Sequence, residues 1–187
     1  MFLFYPQIEK KVSGAKQKKL IETFEQLGNT RVHLEISPTT EVQVNHAQNQ
    51  MELLDGARGI IRIPKIDLEM LIFEEANGTS LRKEVGMIEP EKRFGINNIG
   101  LVGHCAITYS KQFNRLDELV PNDEIEIKTK TGTYEFVVVQ TFVVDRSEVE
   151  VLTDKKKPFL TLVTCTPTGK KNPKDRLIVQ AKLVHKS

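Results

Sequence analysis

Between Gly59 and Leu183 the chain consists of short apolar runs, each closed by turn-forming residues. Ile60–Ile66, Leu68–Phe73, Ile99–Val102, Glu124–Thr129, Thr133–Val144, Phe159–Thr164 and Arg176–Leu183 all fit strands. Glu124-Ile125-Glu126-Ile127-Lys128 alternates polar and apolar, as a strand with one wet face should, and Lys130-Thr131-Gly132 supplies a hairpin turn into Tyr134-Glu135-Phe136-Val137. Brief helical segments at Thr79–Lys83 and Phe113–Leu119 interrupt the series. Seven or eight strands with so little helix predict a mainly β fold, a closed or nearly closed antiparallel barrel. No repeat of roughly 20 to 50 residues is visible, which disfavours a solenoid.

Upstream the period changes. Val12, Ala15, Leu20, Phe24 and Leu27 recur at helical spacing among Lys, Gln and Glu, and Gly28-Asn29 is a stop signal, so one amphipathic helix is expected. Arg31–Asp55 is polar and weakly patterned and reads as a surface connector with a short helix at Ala47–Leu54. The expected division is an N-terminal helix and linker over 1–57 and a barrel domain over 58–187. The opening Met-Phe-Leu-Phe-Tyr reads either as an ordinary helix start or as the end of a membrane anchor preceding this chain.

Composition then removes several classes of function. At 187 residues, 39% hydrophobic and 28% charged, the chain can bury one sizeable core. Its 27 basic and 25 acidic side chains are too evenly balanced to argue for nucleic acid, and Lys155-Lys156-Lys157 reads as solvated loop. No segment approaches the roughly 20 apolar residues of a membrane span. The two cysteines, Cys105 and Cys165, are too few for a disulfide framework and lack the paired spacing of a zinc site. Glu74, Glu75, Glu89 and Glu91 form no compact calcium loop, so neither metal nor other cofactor is expected.

Candidate chemistry gathers at Cys165. The apolar run ends there and turns polar in Thr166-Pro167-Thr168-Gly169, which places the sulfur at a sheet rim beside a loop. An unperturbed thiol, with a pKa near 8.5, is only about 3% ionised at neutral pH, so a useful nucleophile needs a base or a neighbouring cation. His104 ends the apolar run Leu101-Val102-Gly103 in the same manner, and Arg176 opens Arg176-Leu177-Ile178-Val179 after a loop carrying Pro167, Gly169 and Pro173. Were those two strands antiparallel neighbours, Arg176 would face Cys165, where a permanent cation stabilises an oxyanion. Taken singly, each residue has a plainer reading: a buried cysteine, a satisfied core histidine, a surface arginine.

Taken together they form a recognisable pattern. Thr161-Leu162-Val163-Thr164-Cys165 resembles the TLxTC signature of the sortase family of Gram-positive cysteine transpeptidases, Leu101-Val102-Gly103-His104 resembles their histidine motif, and Arg176–Val179 their arginine strand. The likeness runs from about Ile60 to Leu183 and includes Phe113–Leu119. It implies an eight-stranded sortase-type β-barrel with short helices. It also implies that Cys165 attacks the Thr–Gly amide of an LPxTG-like sorting signal, with His104 as general acid and base, Arg176 at the oxyanion, and Thr164 and Thr166 in contact with substrate.

The implied partners are that sorting-signal peptide of a secreted protein and an amine of lipid II or of a peptidoglycan stem peptide. The implied location is the extracellular face of the cell membrane, reached through an N-terminal anchor. The Asp-Pro-aromatic lid motif of pilin-polymerising class C enzymes is absent from Arg31–Asp55, while Thr166-Pro167-Thr168-Gly169 resembles class D, with class A the near neighbour. Cys105 departs from the pattern beside His104, and strand alternation sends it to the opposite face as a buried small residue. The rival readings are a catalytically inactive cell-surface binding module on the same fold, a pilin-polymerising enzyme, and a cysteine hydrolase that cleaves without transfer.

Overall fold

The computed structural model describes residues 17–26, 54–74, 85–103, 113–165 and 174–187. Eight strands close into a barrel in the order β1-β2-β3-β4-β7-β8-β6-β5, with β5 pairing back to β1. They are β1 (Ala57–Ile63), β2 (Leu68–Phe73), β3 (Val85–Met87), β4 (Asn98–Val102), β5 (Glu124–Thr129), β6 (Gly132–Asp145), β7 (Phe159–Cys165) and β8 (Asp175–Lys186). The expected antiparallel barrel is corrected at two seams, because β2 pairs with β3 and β4 with β7 in parallel. In each case the chain leaves one rim and re-enters the sheet from the other, which a hairpin cannot do.

Local chemistry explains most boundaries. The strand expected over Ile60–Ile66 stops at Ile63 because Pro64, lacking an N–H for the ladder, opens a 3-10 turn over Pro64–Ile66. Asp67 follows in the left-handed region at φ 49°, and the chain returns as β2 with Ile63 opposite Leu68. The expected turn between β5 and β6 is present, with Thr129 opposite Gly132. Phe113–Glu118 is 3-10 helical rather than α-helical, with Phe113 and Leu116 buried. Strand β3 was not expected, its three residues being too short for a periodic signal. The helical expectations at Thr79–Lys83 and, but for its last residue, at Ala47–Leu54 lie outside the described residues.

The barrel interior is filled by alternate residues of every strand, among them Ile61, Ile63, Leu101, Phe136, Leu162 and Val179. A second, smaller core lies outside it. An α-helix over residues 17–26, within the expected amphipathic segment, sets Ile21 and Phe24 against Leu54, Ala57, Ile60 and Leu71. The outer face of β1 is therefore covered at Ile60 and open at Arg58, which is why Gly59-Ile60-Ile61-Arg62-Ile63 reads as a nearly continuous apolar run. Arg62 is the exception. Its guanidinium meets Glu25 of the helix at 2.9 Å, Glu69 at 2.7 Å and Glu126 at 3.0 Å, while Lys128 also reaches Glu25 at 2.9 Å. Among the described residues no helix is long and apolar enough to cross a membrane.

Candidate active site

Alternation assigns the faces of β7. Leu160 and Leu162 point into the core, so Thr164 shares the inner face while Thr161, Val163 and Cys165 point outward. On β8, Leu177, Val179 and Ala181 point inward, which leaves Arg176, Ile178 and Gln180 outside. The antiparallel ladder of these two strands runs from Phe159 opposite Lys182 to Cys165 opposite Arg176, its last pair. Directly opposed residues on one face have Cβ atoms about 4.5–5.5 Å apart, so the thiol and the guanidinium are rim neighbours as the sequence suggested. Both are half-buried, and Arg176 Nη1 donates to the Asp175 carbonyl at 3.0 Å.

The other side of β7 carries β4 in parallel register, ending with Val102 beside Val163. Two bonds fix the next residue. Gly103 N–H donates to the Val163 carbonyl at 3.3 Å, and the Thr164 hydroxyl donates to the Gly103 carbonyl at 3.1 Å. A Cβ on Gly103 would stand 3.0 Å from the buried Phe113 ring, so any larger residue there would require that ring to shift. Thr164 is 2% exposed, which commits its hydroxyl to the main chain rather than to the outer groove. His104, Cys105 and Thr166 lie outside the described residues.

Farther down the same outer face, polar residues are buried where a barrel exterior would ordinarily be wet. Asn98, Thr161 and Gln180 are 0%, 0% and 2% exposed. They are covered by the connector between β6 and β7, whose 3-10 turn over Val149–Leu152 lies across β4, β7 and β8. Asn98 Nδ2 donates to the carbonyls of Val151 (2.9 Å) and Thr153 (3.1 Å), and Gln180 Nε2 donates to Val151 at 3.0 Å. Thr161 Oγ1 donates to Asn98 Oδ1 at 2.8 Å. The Leu152 side chain sits where a Cβ on Gly100 would be, 2.6 Å away.

Lys92, from the connector between β3 and β4, closes the flank. Its ammonium lies 2.8 Å from Glu89 Oε2, 2.8 Å from the Leu152 carbonyl and 3.5 Å from Asp154 Oδ1. Burial works against this ammonium, but Glu89 and Asp154 outweigh it and hold the group above the ordinary lysine pKa. Asp154 is held below the usual aspartate range by the Asn98 N–H, then by the Asn97 amide and Lys92.

The family model for the sortase domain matches residues 61–184, spanning β1 through β8 and including both members of the Cys165–Arg176 pair. The chain belongs to the sortase family. A curated sortase D of Bacillus subtilis is 32% identical over 113 residues, which is 59% of this chain and 55% of that protein. Sortase A of Listeria monocytogenes is 28% identical over 111 residues, 59% of this chain and 50% of that protein. The chain thus spans about half the length of these curated relatives. The solved sortase D5 transpeptidase of Clostridium perfringens superposes with a TM-score of 0.68 at 26% identity, covering 90% of this chain and 98% of that one.

Sequence reading missed the buried polar group and its cation. The signal was present in retrospect: Thr161 in Phe-Leu-Thr-Leu-Val and Gln180 in Leu-Ile-Val-Gln-Ala are single polar residues inside runs apolar on both faces. Such a run argues for a strand covered on both sides, so its polar member must be hydrogen-bonded indoors.

Proposed function

We propose that this sortase is a cysteine transpeptidase that cleaves an LPxTG-like sorting signal between Thr and Gly and transfers the acyl half to an amine of a cell-wall precursor, lipid II or a peptidoglycan stem peptide. The observation that carries the reading is the rim pair of Cys165 and Arg176 on the outer face of β7 and β8. The β4–β7 register supports the third member. Strand β4, which leads into His104 in the sequence, ends with Val102 beside Val163, two residues before Cys165.

In that arrangement the Cys165 thiolate adds to the Thr carbonyl carbon, and the oxyanion that forms is met by the Arg176 guanidinium. The carbon–nitrogen bond then breaks, with protonated His104 giving its proton to the departing glycine amine and leaving a thioester on Cys165. The incoming amine attacks the thioester, His104 takes its proton, and the thiolate is released. Thr164 acts at one remove, holding Gly103 and thereby the approach of the chain to His104. Thr166 follows the nucleophile as a substrate contact. Residues 58–187 form the catalytic domain, and 1–57 the helix and linker that join it to an anchor at the extracellular face of the membrane. The likeness to sortase D of Bacillus subtilis supports a class D-like assignment.

The test is intact-mass measurement of the protein after incubation with an LPxTG-like peptide, followed by addition of an amine. Wild type should gain the mass of the acyl half and lose it to the amine; Cys165→Ala should gain nothing, and Arg176→Lys should acylate about a hundredfold more slowly. A wild type that stays unmodified across a panel of sorting-signal peptides would leave an inactive binding module. Acylation followed by release to water alone, with the amine present, would make it a hydrolase.

A further inference from the structure

We propose that the barrel rim opposite the Cys165–Arg176 pair is a docking surface for an anionic lipid bilayer, on which exposed lysine and arginine side chains meet the headgroups while Ile96 and Val184 enter the interface. Cysteine chemistry needs no such surface, and its residues are separate from those of the active site.

Strands β7 and β8 fix which side chains share this rim. Their ladder begins with Phe159 opposite Lys182 and ends with Cys165 opposite Arg176, so at roughly 3.3 Å per residue the two rims stand up to about 20 Å apart. At the far rim β8 continues to Lys186, which is opposite Tyr134 near the start of β6. The connector between β3 and β4 closes the barrel mouth there. The Phe94 ring lies 5.9 Å from that of Tyr134, and a Cβ on Gly95 would be 2.6 Å from the Tyr134 ring and 3.7 Å from the Lys186 stem. The Leu183 N–H donates to the carbonyl of Pro158, just before β7, at 3.1 Å. The β5–β6 turn brings Lys130 to the same end, where Thr133 and Ser187 exchange two main-chain hydrogen bonds of 3.0 Å.

Charge is unevenly divided between the two ends. Arg93, Lys130, Lys156, Lys157, Lys182 and Lys186 are exposed at the far rim, against Glu91 and Glu135. Among the described residues none of these six cations is in an ion pair. Lys186 and Lys130 lie instead over the rings of Tyr134, at 5.4 Å, and Phe24, at 5.6 Å. At the catalytic rim Asp145, Glu148 and Asp175 offset Arg146, Lys174 and Arg176. The chain as a whole carries 27 basic and 25 acidic side chains, so the excess at one end is a matter of placement and not of composition. Two large apolar side chains, Ile96 at 63% exposure and Val184 at 52%, stand among these cations. Charge alone would suit any polyanion, but apolar side chains set between cations suit a bilayer interface, where burial and attraction to anionic lipid add. A protein docked in this way holds the Cys165–Arg176 rim up to about 20 Å from the headgroups, open to solvent.

The experiment is co-sedimentation of the full chain with vesicles of phosphatidylcholine and phosphatidylglycerol in equal parts, with pure phosphatidylcholine vesicles and soluble polyglutamate as comparisons. Wild type should bind the anionic vesicles and not the neutral ones. Arg93→Gln, Lys182→Gln and Lys186→Gln combined should weaken that binding about a hundredfold, near fivefold for each charge removed. Arg146→Gln with Lys174→Gln, at the catalytic rim, should change it by less than about twofold, since charges more than a Debye length from the surface are screened. Ile96→Ser with Val184→Ser should weaken vesicle binding about tenfold and leave binding to polyglutamate unchanged. All of these side chains are exposed, so the barrel core is untouched in every variant. Equal losses from the two rims would show that net charge alone matters and would overturn the docking surface, as would full binding by the triple variant or equal binding of wild type to neutral vesicles. A serine variant that binds anionic vesicles as wild type does would make the rim a polyanion site and overturn the bilayer as its partner. No peptide is turned over in these measurements, so their outcome is independent of the transpeptidase activity.

Discussion

Replacing Thr164 by Val isolates one hydrogen bond. The two side chains are nearly isosteric, so the inward packing beside Leu162 is kept, and what disappears is the hydroxyl that donates to the Gly103 carbonyl at 3.1 Å. That hydroxyl lies on a residue 2% exposed, where water cannot replace it. A buried acceptor deprived of its donor costs about 1–3 kcal/mol, or roughly 3–10 °C in melting temperature for a domain of this size. The functional consequence is larger than the stability suggests. Gly103 is the last described residue before His104, and the remaining tie from β7 to it is the Val163 bond at 3.3 Å. With His104 in its proposed role as general acid, a displacement approaching 1 Å there would lower turnover by about a hundredfold. The assay is kcat for peptide cleavage alongside thermal melting, with Thr164→Ser as the control that restores the hydroxyl. A lower melting temperature with kcat unchanged in Thr164→Val would mean that the bond merely stabilises the barrel and does not aim the histidine.

Two further outcomes follow from the charged groups. Arg62→Met leaves Glu25, Glu69 and Glu126 without their shared guanidinium, so the helix over 17–26 should be cut faster by protease and stability should fall by about 1 kcal/mol. The difference from wild type should shrink in salt near 1 M, where such partly exposed pairs are screened; a salt-independent difference would point to packing instead. Asp154, whose folded pKa is depressed by Asn98, Asn97 and Lys92, contributes stability above the ordinary aspartate value of about 4 and loses it as pH falls from there through the lower folded value. Melting temperature should therefore drop more steeply below about pH 4 in wild type than in Asp154→Asn. Parallel acid profiles would show that Asp154 does not carry this pH dependence.

What could be read from the chain alone was whatever depends on neighbours in sequence. Alternation in Glu124–Lys128, the turn at Lys130–Gly132 and the part of the apolar stripe carried by Leu20 and Phe24 are local, and each produced the element it predicts. The opposition of Cys165 and Arg176 was nearly local too, since a single loop joins their strands and antiparallel pairing was the simplest way to close it. Thr164 showed the limit. Its position beside the nucleophile suggested a substrate contact, whereas the tertiary structure turns its hydroxyl inward to Gly103, 61 positions away in sequence.

The parallel seams, the strand β3 and the buried trio of Asn98, Thr161 and Gln180 depend on segments that meet only when the barrel closes. A polar residue in a strand looks solvent-facing until another part of the chain is laid over it. Periodicity along the sequence reports which face a side chain takes; whether that face is wet is decided by what crosses it, and here that was the connector held down by Lys92 and Asn98.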